Sequence, residues 1–131
     1  MTATIKTADE IDKMRVAGRL ASEVLEMIEP LVEVGITTGE LDRICHDYIT
    51  GTQDAIPAPL NYNGFPRSIC TSINGVVCHG IPDMRQLMAG DVVSFDVSVY
   101  LDGVHGDNCS TIVVGDFENM EMKEESEFSV Y

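Results

Sequence analysis

The chain has 131 residues, 44% of them apolar, a length and composition that suit one globular domain. A net charge of −14 argues against a broad nucleic-acid-binding surface. No apolar run reaches the roughly 18 residues that a membrane span needs, and no basic stretch followed by an apolar core marks a secretory signal. The four cysteines lack metal-type spacing and read as reduced thiols of a cytoplasmic protein.

Thr7 and Glu10 form a capping-box signature, predicting a helix of about twenty residues. Ile11, Met14, Leu20, Val24, Leu25 and Ile28 recur at helical steps and predict one buried stripe. Pro30 and Gly35 mark its exit. Thr37 and Glu40 open a second helix whose apolar face is Leu41, Ile44, Cys45, Tyr48 and Ile49. His46 falls off that stripe and reads as solvated.

Residues 52–67 read as a loop, because Pro57, Pro59, Asn61, Asn63, Gly64 and Pro66 oppose regular structure. The loop nevertheless carries Leu60, Tyr62 and Phe65, either to pin it to the core or to line a pocket. Residues 68–73 and 76–81 are apolar-rich runs joined by Asn74-Gly75, a type I′ turn signature. That register predicts a hairpin with Cys70 opposite His79. His79 then precedes Gly80-Ile81-Pro82, where the chain turns out. A lone histidine is more often structural than chemical.

Residues 92–100 alternate and are rich in Val, and 104–114 read as the returning strand across Asp102-Gly103. A two-residue turn sets Leu101 opposite Val104, Ser98 opposite Asp107 and Asp96 opposite Cys109. Side-chain alternation then puts Asp96, Ser98, Asp107 and Cys109 on one face. Asp96 and Asp107 become diagonal neighbours, roughly 5–8 Å apart at Cβ. Two such carboxylates repel unless a cation lies between them, and they could reach a pair of divalent ions about 3.5–4 Å apart. Asp83, Asp91 and Asp102 read instead as exposed or turn-capping. Asp96 stands out because Phe95, Val97 and Val99 flank it and aspartate is depleted in strand interiors. Residues 116–131 are acidic, without a clear apolar period, and read as a disordered tail following a domain over 1–115. The fold class is α+β in two layers: two helices packed on an antiparallel sheet of hairpins.

The segments CHGIPD, GDVVSFDVSV and DGVHGD, in that order and spacing, resemble the type I methionine aminopeptidases. The resemblance extends to the helical segment before them and covers roughly residues 4–115. It implies the N-terminal half of a pita-bread fold, two similar αβ halves related by a pseudo-twofold. It implies a cytoplasmic metal-dependent exopeptidase that removes the initiator methionine from nascent proteins, using two divalent ions (Co, Mn, Fe or Zn). Asp96 matches the aspartate that chelates one metal, and Asp107 the one that bridges both. His79 matches a histidine that hydrogen-bonds the substrate or its transition state, and Ser98 a hydroxyl beside the metals. Tyr62, Phe65 and Cys70 match positions lining the methionine pocket, where Pro59 stands in place of a common cysteine. Asn74 and Val76 match a monovalent-cation site, and Ser94 replaces a usual asparagine.

The family takes a histidine and two glutamates from its second half, and no motif for these follows in this chain. Three expectations result. The chain is a methionine aminopeptidase chain, in truncated form; or a non-catalytic half-domain that binds peptide N-termini or a partner protein; or a half that self-associates through an exposed sheet. Peptide and nascent-chain N-termini are the implied partners, with ribosome association possible in such an enzyme, and neither nucleic acid nor membrane is bound directly.

Overall fold

The computed structural model of the chain describes residues 2–115. Helix α1 spans Ala8–Ile28 and helix α2 spans Thr38–Asp47. Four strands follow: β1 (Ile56–Pro57), β2 (Cys70–Ile73), β3 (Val92–Leu101) and β4 (Val104–Val113). All pairings are antiparallel, and β3 is the centre of the sheet. β4 runs along one whole side of it, while β2 and β1 share the other side, against its first and last residues respectively. The two-layer α+β architecture is the expected one. Among the described residues no helix is long and apolar enough to cross a membrane.

The helix ends follow their sequence signals. Thr7 Oγ1 accepts from Glu10 N–H at 3.2 Å while the Glu10 carboxylate accepts from Thr7 N–H at 2.7 Å, closing the capping box. At α2, Thr37 Oγ1 accepts from Glu40 N–H at 3.0 Å, but the Glu40 carboxylate is taken by Arg43.

One face of β3, Val93, Phe95, Val97 and Val99, is fully buried under the helices. The stripe of α1 that meets it differs from expectation. Val24, Leu25 and Ile28 are buried as expected, but Ile11 and Met14 lie about 40% exposed and Ala17 and Ala21 are buried in their stead. Backbone proximity is the cause. A Cβ on Gly106 of β4 would stand 2.0 Å from Ala17 O and 2.5 Å from Gly18 N, so helix and strand touch main chain to main chain. Only small residues fit at that crossing, and the larger side chains fall to its flanks.

Two further expectations are corrected. Residues 76–81 form no strand: β2 pairs with β3, and Cys70 stands opposite Asp96, not His79. The segment joins β2 through Thr71 N–H to Gly80 O at 2.8 Å and Gly80 N–H to Ser72 Oγ at 3.1 Å. A turn at Asn74-Gly75 is present, closed by Val76 N–H to Ile73 O at 3.1 Å, but only Asn74 (φ 52°) is left-handed, so it is not the expected type I′ turn, and left-handed backbone at His79 (φ 56°) breaks the returning run. The loop over 52–67 is also less irregular than expected. Ile56 and Pro57 pair with Tyr100 and Val99, and Tyr62–Gly64 form a 3₁₀ turn.

Two polar residues were misread. His46 is half-buried, with Nδ1 hydrogen-bonded to the Ser68 hydroxyl at 2.8 Å. Asp91 caps the turn at Met88 N–H but is only 5% exposed, because it also pairs with Arg85 at 2.8 Å and accepts from Asn74 at 3.0 Å. Asp83 and Asp102 are exposed, as expected. The tail and the domain boundary placed at 115 concern residues 116–131, outside the described residues.

Candidate active site

The β3–β4 register is the predicted one, with Leu101 opposite Val104, Ser98 opposite Asp107 and Asp96 opposite Cys109. The two-residue turn fixes it, with Asp102 (φ 51°) and Gly103 (φ 80°) both left-handed, as a type I′ turn requires. Because β3 buries its odd-numbered residues, Ser94, Asp96, Ser98 and Tyr100 project from the opposite face. Three rows cross that face: Cys70, Asp96 and Cys109; then Ser98 and Asp107; then Tyr100 and His105.

Above these rows lies an open cleft of about 840 Å³. The loop after β1 makes one wall, with Pro59, Tyr62 and Phe65, and Cys70, His79, Asp96, Ser98 and Asp107 also line it. The structure thus brings together every residue expected at the substrate and metal positions. Asn74 and Val76 stand apart, beside a smaller pocket of about 220 Å³. The Asn74 side chain there is engaged in holding its turn, accepting from Val92 N–H at 3.0 Å and donating to Asp91.

Local sequence explains each placement. The loop is tethered by Ala58 N–H to Ser98 O at 2.9 Å and folded back by Asn61 N–H to Phe65 O at 2.8 Å. Asn61 (φ 67°) and Asn63 (φ 47°) supply its left-handed corners, which asparagine tolerates. His79 is presented by Gly80, which lies so close to β2 that a Cβ there would meet Thr71 O at 2.0 Å. The strand leading to Cys70 is held from α2, where buried Asp42 Oδ1 accepts Ser68 N–H at 2.8 Å and Ile69 N–H at 3.0 Å.

The electrostatics single out the carboxylates. Burial raises the Asp96 carboxyl above its ordinary range, helped by the charge of Asp107 and a hydrogen bond with it, while His79 pulls the other way. Ser98 Oγ donates to Asp107 Oδ1 at 3.1 Å, which keeps Asp107 turned toward the pair. Burial pushes the Cys70 thiol up to about 11 and also raises Cys109, so neither is a thiolate nucleophile at neutral pH. What remains is a close pair of oxygen ligands whose repulsion a hard divalent cation would relieve. Asp96 and Asp107 would hold such an ion. Among the described residues no group of three or more His, Cys, Asp or Glu side chains converges on one point.

Sequence reasoning missed His105, which also lines the cleft. Alternation could have found it, since it lies two residues before Asp107 on the same strand. It missed Asp42, for which local sequence held no signal, because its partners lie 26 and 27 residues away.

Residues 12–129 match the model of metallopeptidase family M24. The chain is 60% identical over 116 residues to methionine aminopeptidase of Escherichia coli, covering 88% of this chain and 44% of that protein. It is 55% identical over 124 residues to methionine aminopeptidase of Haemophilus influenzae, covering 94% of this chain and 46% of that one. The crystal structure of methionine aminopeptidase from Rickettsia prowazekii superposes with a TM-score of 0.85 at 52% identity, over 88% of this chain and 46% of that one. The chain therefore spans about half the length of the curated relatives it matches, 44% in the Escherichia coli case. Its two helices on an antiparallel sheet correspond to one αβ half of the pita-bread fold. With a family match that runs through nearly the whole cleft-bearing chain, this protein belongs to metallopeptidase family M24.

Proposed function

We propose that this chain serves as a methionine aminopeptidase and supplies the substrate pocket and two metal ligands of its site. The observation that carries the reading is the juxtaposition of Asp96 and Asp107 at the floor of a cleft walled by Tyr62, Phe65, Cys70 and His79. Relatives bearing the name methionine aminopeptidase at 60% and 55% identity support it.

Each residue has a chemical part in this reading. Asp96 and Asp107 hold two divalent ions, which when bound supply an activated water and polarise the scissile carbonyl. Tyr62, Phe65 and Cys70 enclose the unbranched methionine side chain, for which a pocket of aromatic and sulfur surface suits a thioether. His79 donates a hydrogen bond to the substrate beside the carboxylates. Ser98 holds the Asp107 carboxylate in place. The initiator methionine of nascent proteins is the natural substrate. Asn74 and Val76 bear on a monovalent cation at the smaller pocket.

A second reading is a half-domain that binds peptide N-termini without cleaving them. It is favoured by the lack, among the described residues, of a third side chain converging on Asp96 and Asp107.

The metal part of the proposal is tested by calorimetric titration of the 131-residue protein with Mn²⁺. Saturable binding lost in Asp107→Asn is expected. Unchanged binding in that variant would remove the carboxylate pair as the metal site.

A further inference from the structure

We propose that His105 is a specificity residue that reads the main chain of a bound peptide beyond its first residue. The inference rests on the peptide-binding reading of the cleft given above.

His105 lines the cleft. Among the described residues its imidazole makes no hydrogen bond with any other side chain or main-chain group. It is held instead by the ring of Tyr100, its neighbour across the β3–β4 ladder, with centroids 4.9 Å apart and planes tilted by 56°. That contact lies within the favourable range for aromatic pairs and fixes the ring without using its nitrogens. The side chain is exposed and shares a strand face with Asp107. An imidazole carries at least one N–H donor in either protonation state.

Position gives this donor a target. His105 sits one row beyond Asp107 toward the hairpin turn, a step of two strand residues, or roughly 6.6–6.8 Å. An extended peptide advances at most about 3.3–3.6 Å per residue, so the step corresponds to about two residues of ligand. Sides matter as well. Cys70 and the loop carrying Tyr62 and Phe65 stand on the β1 and β2 side of β3, whereas His105 stands on β4. A peptide with its first side chain against that wall and its first carbonyl at Asp96 and Asp107 leaves over β4. Its next main-chain carbonyl groups then pass the His105 ring.

The test compares two ligands that differ only downstream of the first carbonyl, methioninamide and Met-Ala-Ser-amide made uncleavable by a CO–CH₂ group in place of its first peptide bond. Each is titrated calorimetrically into the 131-residue protein with Mn²⁺ present, and circular dichroism establishes that each variant is folded. His105→Ala is expected to weaken Met-Ala-Ser-amide about three- to tenfold, the equivalent of one hydrogen bond, and to leave methioninamide unchanged. His105→Gln, which keeps a donor, is expected to recover most of the loss. An equal loss for both ligands, or an unchanged tripeptide affinity in His105→Ala, overturns the proposal. Wild-type protein that binds neither ligand overturns the peptide-binding reading itself, and the two failures are told apart by that control.

Discussion

Gly106→Ala tests the packing on which the site depends. Gly106 lies between His105 and Asp107, with its α-carbon against α1. An added Cβ would stand 2.0 Å from Ala17 O, 2.1 Å from Ala17 C and 2.5 Å from Gly18 N, where ordinary contacts begin near 3.4 Å. All three are main-chain atoms, so no rotamer change relieves the clash. The helix and strand must part by about 1.4 Å, the difference between 2.0 Å and 3.4 Å. That motion opens the layer in which Val24, Ile28, Val97 and Val99 are fully buried. Overpacking costs typically about 1–3 kcal/mol, and a backbone clash belongs at the upper end, about 3 kcal/mol. With urea slopes of about 1–3 kcal/mol/M, the unfolding midpoint should fall by about 1–3 M, read by circular dichroism. Gly18→Ala, on α1 beside the same crossing, is the control. A Cβ at Gly18 meets nothing within 4 Å, so alanine should stabilise α1 by about 0.5–1 kcal/mol through helix propensity alone. A Gly106→Ala midpoint indistinguishable from wild type would refute the close approach of α1 and β4.

Asp42→Ala leaves the buried Ser68 and Ile69 N–H groups without an acceptor and should cost about 2–4 kcal/mol in urea unfolding; Asp42→Asn keeps an oxygen there and should recover most of it. Arg85, with Met88 N–H and Asn74, holds the Asp91 carboxyl down to about 2 from 3.8. Its folded-state value is depressed, so the stabilisation is present above about pH 4 and lost as pH falls through 2; with Arg85 partly exposed it amounts to about 1–2 kcal/mol, and Asp91→Asn should flatten the acid limb of a stability–pH curve. Burial and Asp107 raise the Asp96 carboxyl, so the folded state favours its protonated form and the ionised pair destabilises it as pH rises. In chelator, Asp96→Asn should therefore unfold at higher urea than wild type at pH 7, with the gap closing toward acid pH; a lower midpoint at pH 7 would contradict the paired-carboxylate picture.

The parts of the molecule legible in the sequence are those set by local rules. Asp102-Gly103 determined the register of ten residue pairs, and with it the side of the sheet on which Asp96, Ser98, Asp107 and Cys109 stand. The same reasoning failed at Asn74-Gly75, where the turn formed but the returning strand did not. The difference is that only Asn74 of that turn is left-handed, so the chain does not leave it in type I′ geometry, and left-handed His79 breaks the run that should return. The α1 stripe was misplaced at Ile11 and Met14 because hydrophobicity ranks them above Ala17 and Ala21. The decisive quantity was the distance to Gly106, a contact between distant parts of the chain. β1 was hidden for a similar reason, since its two residues acquire a strand conformation only by meeting Val99 and Tyr100. Of the cleft, the carboxylate pair was legible from the hairpin register and His79 through the resemblance, while His105 needed only the alternation already applied to its neighbours.

The measurement that bears most directly on the account is methionine release from a Met-Ala-Ser peptide by the 131-residue protein. It is run with Mn²⁺, Co²⁺ or Fe²⁺ and with Asp107→Asn alongside. The account predicts release that requires the divalent ion and disappears in the variant. Folded wild-type protein that binds the peptide yet releases no methionine, or release that survives Asp107→Asn, would contradict it.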